Sequence, residues 1–381
     1  MKLKYRLIVE GEVKKEKTIK LSLILSIIIS LAIIILILYF TIDAETIDQL
    51  SKKDIKYEYF LIAVLLNVTY WFVWGARLKV IANRLDKKLN INWWNSTKII
   101  IANMFLASIT PSMAGGEPVR IYLLNKRGMN LGSATAAVIS ERLVDAIIVF
   151  TMVPLAFFVF YNMPKAHVDP NFSIISKALP IGIFIFALFF IIFLYAIAKP
   201  EKTKRFLIWI NKKVSRFRKN KESEYTIITR IKTEVDNFHK GIILFKKEGR
   251  VTLIKSIIIT VFIWSTGFMV PSMILMGLGF PPYFIESYAA QALLLVIVMM
   301  PTTPGSSGLA ELGAWGLYGI ILTKEEFMYI GIFVILFRFV TYHMNLIAGA
   351  IFQYKELKSI ASFSLDKIKK EQKEGACDLK K

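Results

Sequence analysis

Apolar and polar positions alternate along this chain on the scale of a bilayer rather than of a helix turn. After a polar, lysine-rich stretch at residues 1–19, the run Leu21–Thr41 is apolar for about one membrane thickness, at ~1.5 Å per helical residue against ~30 Å of hydrocarbon. Comparable runs follow at Ile55–Ala76, Leu131–Tyr161, Phe172–Ala198, Val251–Met276 and Phe327–Phe352. They predict about six full spans. The first is expected to stay as an anchor, since a signal peptide has a shorter apolar core and a small-residue cleavage site. Trp71-Phe72-Val73-Trp74, followed by Arg77 and Lys79, reads as an aromatic belt with a cytoplasmic basic flank.

Two further apolar regions are broken. Ile99–Ile109 and Pro118–Asn125 flank the turn that starts at Thr110-Pro111-Ser112, and Tyr288–Met300 and Leu309–Leu322 flank Thr303-Pro304-Gly305-Ser306-Ser307. Each break opens with Thr-Pro, continues through Ser and Gly, and reaches a glutamate, Glu117 or Glu311. Each precedes a long apolar run with an arginine inside it, Arg142 or Arg338. Freed backbone groups find no partner in hydrocarbon, so such breaks survive only inside protein or beside water. Paired interrupted segments in two halves of a chain point to a transport site, with half-helix N-termini facing an anionic group. Ordinary extramembrane loops are the alternative.

Composition agrees with the apolar runs: 55% of residues are hydrophobic and the mean hydropathy is +0.53, yet the net charge is +21. That is a multipass membrane protein with basic loops. The charge is sorted by position, so membrane lipid rather than nucleic acid is the expected partner. Residues 1–19, 77–98, 199–250 and 353–381 are rich in Lys and Arg, whereas 42–54, 162–171 and 277–287 are not. Placing every basic region inside requires one broken hairpin to dip from each face. The chain then divides into a cytoplasmic tail (1–19), an anchor span and outer loop (20–54), a first repeat (55–161), an outer loop and connecting span (162–198), a basic cytoplasmic insertion (199–250), a second, inverted repeat (251–352) and a basic tail. Within the insertion, Tyr225, Ile228, Ile231, Val235, Phe238, Ile242 and Phe245 recur at helical spacing, an amphipathic face for a membrane surface or for the protein itself. The fold class is therefore an all-α polytopic membrane protein with two oppositely oriented re-entrant hairpins.

Charges inside the spans carry the candidate chemistry. Glu141, Arg142 and Asp145 fall near the midplane of the third long run, and Arg338 sits at comparable depth in the last. A buried charge costs about 2.5–3.5 kcal/mol even on the lenient insertion scale. Glu141 and Asp145 share a face, and Arg142 reaches Asp145 one turn on. Forked guanidinium donors suit phosphate oxygens; interhelical ion pairs are the structural reading of the same residues. Glu117 and Glu311 also suit helix capping, Arg120 suits snorkelling to headgroups, and Ser112, Ser306 and Ser307 suit turn formation. The candidate substrate-binding set is Ser112, Glu117, Arg120, Glu141, Arg142, Asp145, Ser306, Ser307, Glu311 and Arg338. A single cysteine, Cys377, and scattered His167, His239 and His343 provide no metal-ligand spacing, and no nucleotide loop occurs, so no cofactor is assigned.

Gly-Gly-Glu-Pro-Val-Arg at 115–120, Glu141-Arg142-Leu143-Val144-Asp145 and Pro304 to Glu311 resemble the motifs of the lysylphosphatidylglycerol synthase transmembrane-region, or flippase-like, family, over about residues 20–352. The resemblance implies movement of a phospholipid between leaflets, with Glu117, Arg120, Glu141, Arg142 and Glu311 lining the path. The soluble domain that charges lipid with an amino acid in the best-known members is not expected here, so the resemblance does not extend to aminoacyl transfer. The leading expectation is a transporter of a phosphate-bearing lipid, anionic or zwitterionic, and not an enzyme. The alternatives are an intramembrane enzyme using Glu141 or Glu117 as a base, or an accessory protein for a separate lipid-modifying enzyme.

Overall fold

The computed structural model describes residues 53–86, 89–110, 115–163, 199–215, 250–298, 303 and 305–352, together with Ile28, Ile35, Tyr39, Leu188, Ile191 and Tyr195. All regular structure among them is helical. In chain order the helices are α1 (Tyr57–Leu85), α2 (Trp93–Ser108), α3 (Gly116–Lys126), α4 (Leu131–Asn162), α5 (Pro200–Ser215), α6 (Arg250–Gly277), α7 (Phe284–Val298), α8 (Leu309–Ile321), the single turn α9 (Lys324–Phe327) and α10 (Ile330–Phe352). The apolar runs Leu21–Thr41 and Phe172–Ala198, the amphipathic stretch 225–245, and Ser112 lie outside the described residues, apart from the isolated positions named.

Four helices, α1, α4, α6 and α10, are long and apolar enough to cross a membrane, and α7 and α8 are shorter apolar helices. Their sides carry exposed Leu61, Leu65, Leu155, Phe158, Phe262 and Ile351. Such a surface suits hydrocarbon, not water. The chain is a polytopic membrane protein. Local chemistry sets the helix ends: Asn92 and Asn130 cap α2 and α4 by accepting from Asn95 and Ser133 backbone N–H groups, both at 2.8 Å. Gly128, at φ +97°, makes the turn between α3 and α4.

α1 corrects the expected boundary. The run predicted to end at Ala76 continues as helix to Leu85 and carries Arg77 into the interior, 1% exposed. Arg77 is thus not a cytoplasmic flank. Leu78, Ile81 and Ala82 beyond it are buried as well, so the apolar face of α1 outlasts its uninterrupted apolar run.

Close approach, more than burial of oil, holds these helices together, because lipid tails are as apolar as leucine. α1 packs along α6, where Gly277 leaves room for the Phe60 ring, and crosses α2 at Gly75, whose missing Cβ would lie 2.8 Å from Thr97 Cα. α4 packs on α7. Correspondingly α10 lies on α2, with Gly349 against Phe105. One apolar cluster contains Leu78, Ile99, Leu123 and Val138; another contains Val153, Ile274, Tyr318 and Phe333. Phe105, Ile109, Tyr342 and Leu346 form a small third cluster where the two helix breaks lie.

Candidate functional site

The two breaks touch. Thr110 ends α2 by donating its hydroxyl to the Leu106 carbonyl at 2.7 Å, and the same oxygen accepts the Gly115 N–H at 2.9 Å. The Thr110 carbonyl is left to accept from the Gly305 N–H at 3.2 Å in the other break. Gly305 is at φ +61°, and a side chain there would run into the Ser108 carbonyl. Glycine is therefore required twice over, for its backbone and for the contact. Tyr342 of α10 closes the same junction, donating its hydroxyl to the Ser108 carbonyl at 3.3 Å.

An ion cluster hangs from the first break. Arg77 donates Nε to Glu141 at 3.1 Å and grips Asp145 with two nitrogens, Nη2 at 3.2 Å. Its Nη1 also donates to Thr260 Oγ1 of α6 at 2.8 Å. Arg120 donates Nη1 to the other oxygen of Glu141. Arg77, Arg120 and Glu141 are essentially sealed from solvent, and Trp74 lies within 5.8 Å of one guanidinium and 5.5 Å of the other. Arg142 is the open member of the cluster. Its Nε donates to Glu117 at 2.6 Å, with both side chains more than 40% exposed, and it stands 4.0 Å from Asp145. Three guanidiniums meet three carboxylates, so the charge cancels and each ion has a partner.

A smaller system hangs from the second break. Glu311 accepts the Gly308 N–H at 2.6 Å at the start of α8 and Arg338 Nε at 2.9 Å. It is both cap and counter-ion. The Arg338 guanidinium lies 4.1 Å from the centre of the Tyr342 ring, which ties this ion pair to the junction. Just after Arg338 the backbone widens into a π-helical turn, Phe339–His343. Asn67 of α1 donates to the Val340 carbonyl in that turn at 2.8 Å, and Trp71 donates to Asn345 at 2.8 Å. Arg120 Nε and Nη2 and Arg338 Nη2 are buried with no hydrogen-bond partner among the described residues.

The structure sorts the expected residues. Glu117, Arg120, Glu141, Arg142 and Asp145 assemble at one break; Glu311 and Arg338 pair at the other. Ser306 and Ser307 are fully buried inside the second turn, with Ser306 at φ +52° donating to the Val298 carbonyl at 2.7 Å and the Ser307 carbonyl accepting from Thr303. Three local expectations change. Arg120 does not snorkel, because Glu141 holds it inside. Glu117 pairs across to Arg142 instead of capping α3. Arg142 takes Glu117 as its main partner instead of Asp145. Arg77 was hidden in a basic run, and the apolar periodicity continuing past it was its only signal.

A profile of the lysylphosphatidylglycerol synthase TM region matches residues 27–349. A UPF0104 membrane protein of Archaeoglobus fulgidus is 32% identical over 337 residues, 88% of this chain and 97% of the relative. A UPF0104 membrane protein of Methanocaldococcus jannaschii is 27% identical over 67% of this chain and 72% of its own length. One from Methanothermobacter thermautotrophicus is 26% identical, covering 74% and 80%.

Proposed function

We propose, for a chain that belongs to the lysylphosphatidylglycerol synthase TM region family, that it carries a phosphate-bearing lipid headgroup between membrane leaflets along the junction of its two helix breaks. The observation that carries this reading is the pair of buried arginines, Arg120 and Arg338, each holding a carboxylate with one nitrogen and keeping donors spare beside a broken helix. A spare forked donor near a helix N-terminus is suited to phosphate oxygens. Arg142, half exposed and paired with Glu117, is the entry position: a phosphate arriving there displaces the glutamate, whose carboxylate is exposed enough to be solvated when it is released.

In this reading, α1 to α4 and α6 to α10 are two inverted repeats, each a span, a re-entrant hairpin and a span, with the further runs Leu21–Thr41 and Phe172–Ala198 completing six spans. Lys/Arg distribution puts both termini and the 199–250 insertion in the cytoplasm of a cell-membrane protein. The contact from Gly305 to Thr110 then joins hairpins from opposite faces and seals the path in a closed state. Rocking of one repeat against the other opens it. The acyl chains remain in the bilayer, and an apolar groove of about 330 Å³ between α4 and α7, lined by Leu155, Val159, Phe284 and Tyr288, is a berth for one of them. The chemistry is binding and release, without bond-making, and a separate lipid-modifying enzyme is a fitting partner for the basic insertion.

The test is leaflet exchange of fluorescent anionic and zwitterionic phospholipids in liposomes holding the purified protein. Exchange is expected for wild type and absent for Arg142→Ala and Arg338→Ala proteins that remain folded. Equal exchange by wild type and both variants would overturn the site, and no exchange by folded wild type under any gradient would overturn the function.

A further inference from the structure

At the end of the molecule where α1 begins and α6 ends, a lysine ammonium sits in an aromatic box. Lys53 Nζ lies 3.3 Å from the centre of the Phe280 ring and 4.4 Å from that of Tyr329. The two rings stand 5.3 Å apart at 61°, so they present two faces to one cation. The box is built from segments far apart in sequence. Lys56 N–H donates to the Gly277 carbonyl at 3.0 Å, which lays residues 53–56 along the turn after α6. Gly279, at φ +74°, lets the Lys53 stem pass: a Cβ there would stand 3.3 Å from Lys53 Cε. Glu326, buried in α9, supplies negative charge that acts on the ammonium; it accepts from the Tyr283 hydroxyl and from the Thr323 N–H, both at 2.9 Å. Tyr283 holds a left-handed φ of +44°, a conformation that a bulky residue adopts only when its surroundings impose it.

We infer that this box is an alkylammonium site, that its ligand is the amine of a zwitterionic lipid headgroup, and that Lys53 is a tethered plug occupying it. Ring faces attract a cation through their quadrupole, and paired faces with a carboxylate acting on the same cation are the arrangement that selects ammonium over a neutral group of the same shape. A structural latch needs only an apolar side chain here. A lysine instead spends a charge: burial pulls its ammonium below the usual lysine range, while Glu326 works against that loss. Being tethered, Lys53 competes at an effective concentration on the order of millimolar, so a weak soluble amine is excluded and a headgroup concentrated at the membrane surface is not. The site is separate from the arginine junction, and binding is measured without transport, so it stands or falls independently of the transport reading.

The experiment titrates choline, and in parallel its uncharged carbon isostere, onto purified protein in nanodiscs of an anionic phospholipid, by calorimetry. Lys53→Ala protein is expected to bind choline at least tenfold more tightly than wild type and to ignore the isostere. Adding Phe280→Leu to Lys53→Ala is expected to abolish that binding, with thermal melting checking that each variant is folded. In wild type, choline binding is expected to strengthen as pH rises toward 10.5, because Lys53 loses its charge and choline cannot; the other titratable groups around the box are Glu326, Tyr329 and Tyr283, whose hydroxyl is pushed up to about 12 by burial and by Glu326. Replacing the anionic lipid with phosphatidylcholine is expected to weaken choline binding by Lys53→Ala through competition. Equal binding by wild type and Lys53→Ala, or binding of the isostere, or survival in the Phe280→Leu background, would overturn the ammonium site. Indifference to the lipid would overturn the headgroup as its ligand.

Discussion

Arg77 and Arg142 are arginines of opposite kinds. Arg77 is sealed among Glu141, Asp145 and Thr260, so removing it leaves Glu141 to Arg120 alone and Asp145 with only the 4.0 Å approach of Arg142, one buried negative charge more than the arginines balance. Arg77→Met is expected to cost about 3–5 kcal/mol, the range for breaking a buried pair from one side. Thermal melting in detergent checks it, and added Asp145→Leu should restore part of the loss. Arg142 and Glu117 are half exposed, and such pairs are worth about 0–1 kcal/mol. Arg142→Ala is therefore expected to melt close to wild type while losing lipid exchange. Loss of both together would make Arg142 another structural ion. Sequence reading found Arg142, Glu141 and Asp145 because each interrupts an apolar run. It missed Arg77, which stands where apolar sequence gives way to basic sequence and looks like an ordinary helix flank.

At the scale of elements, the molecule turns on two interrupted helices and one widened one. The breaks are legible in the sequence because Thr-Pro and clustered Gly and Ser cannot continue a helix; α3, α7 and α8 begin and end within four residues of the predicted limits, while α2 starts six residues before Ile99. Their contact is not legible. Gly305→Ala puts a side chain at positive φ and drives it into the Ser108 carbonyl. It is expected to destabilise the folded protein by about 1–3 kcal/mol and to part the breaks, read as a lower melting temperature and faster labelling of a cysteine at Thr110. Unchanged labelling would place the opening elsewhere. The π-helical turn after Arg338 has no signature in its residues, Phe339 to His343; it persists because Asn67, on a helix more than two hundred residues earlier, donates to the Val340 carbonyl within it.

For the whole molecule, orientation is the property that charge distribution predicts and that labelling can test. With Cys377 replaced by serine, Glu325→Cys in α9 is expected to react with an impermeant maleimide in intact cells. Lys126→Cys at the end of α3 is expected to react only after permeabilisation. The reverse pattern would invert the molecule, and labelling of both in intact cells would break the inverted-repeat reading. The apolar sides of α1, α4, α6 and α10 already fit a bilayer whichever way they point.

Class, the positions of the four long helices and of both breaks, and most of the charged residues of the site follow from the order of residues alone. Hydrocarbon imposes its rules segment by segment: length, apolarity and backbone satisfaction are local, and a violation shows at its own position. Which charge meets which, that Thr110 reaches Gly305, and that Lys53 Nζ meets the rings of Phe280 and Tyr329 emerge only once the helices are packed. Those are contacts between helices distant in sequence. Coulomb attraction, hydrogen bonds and ring faces act over a few ångströms, and packing alone sets those distances.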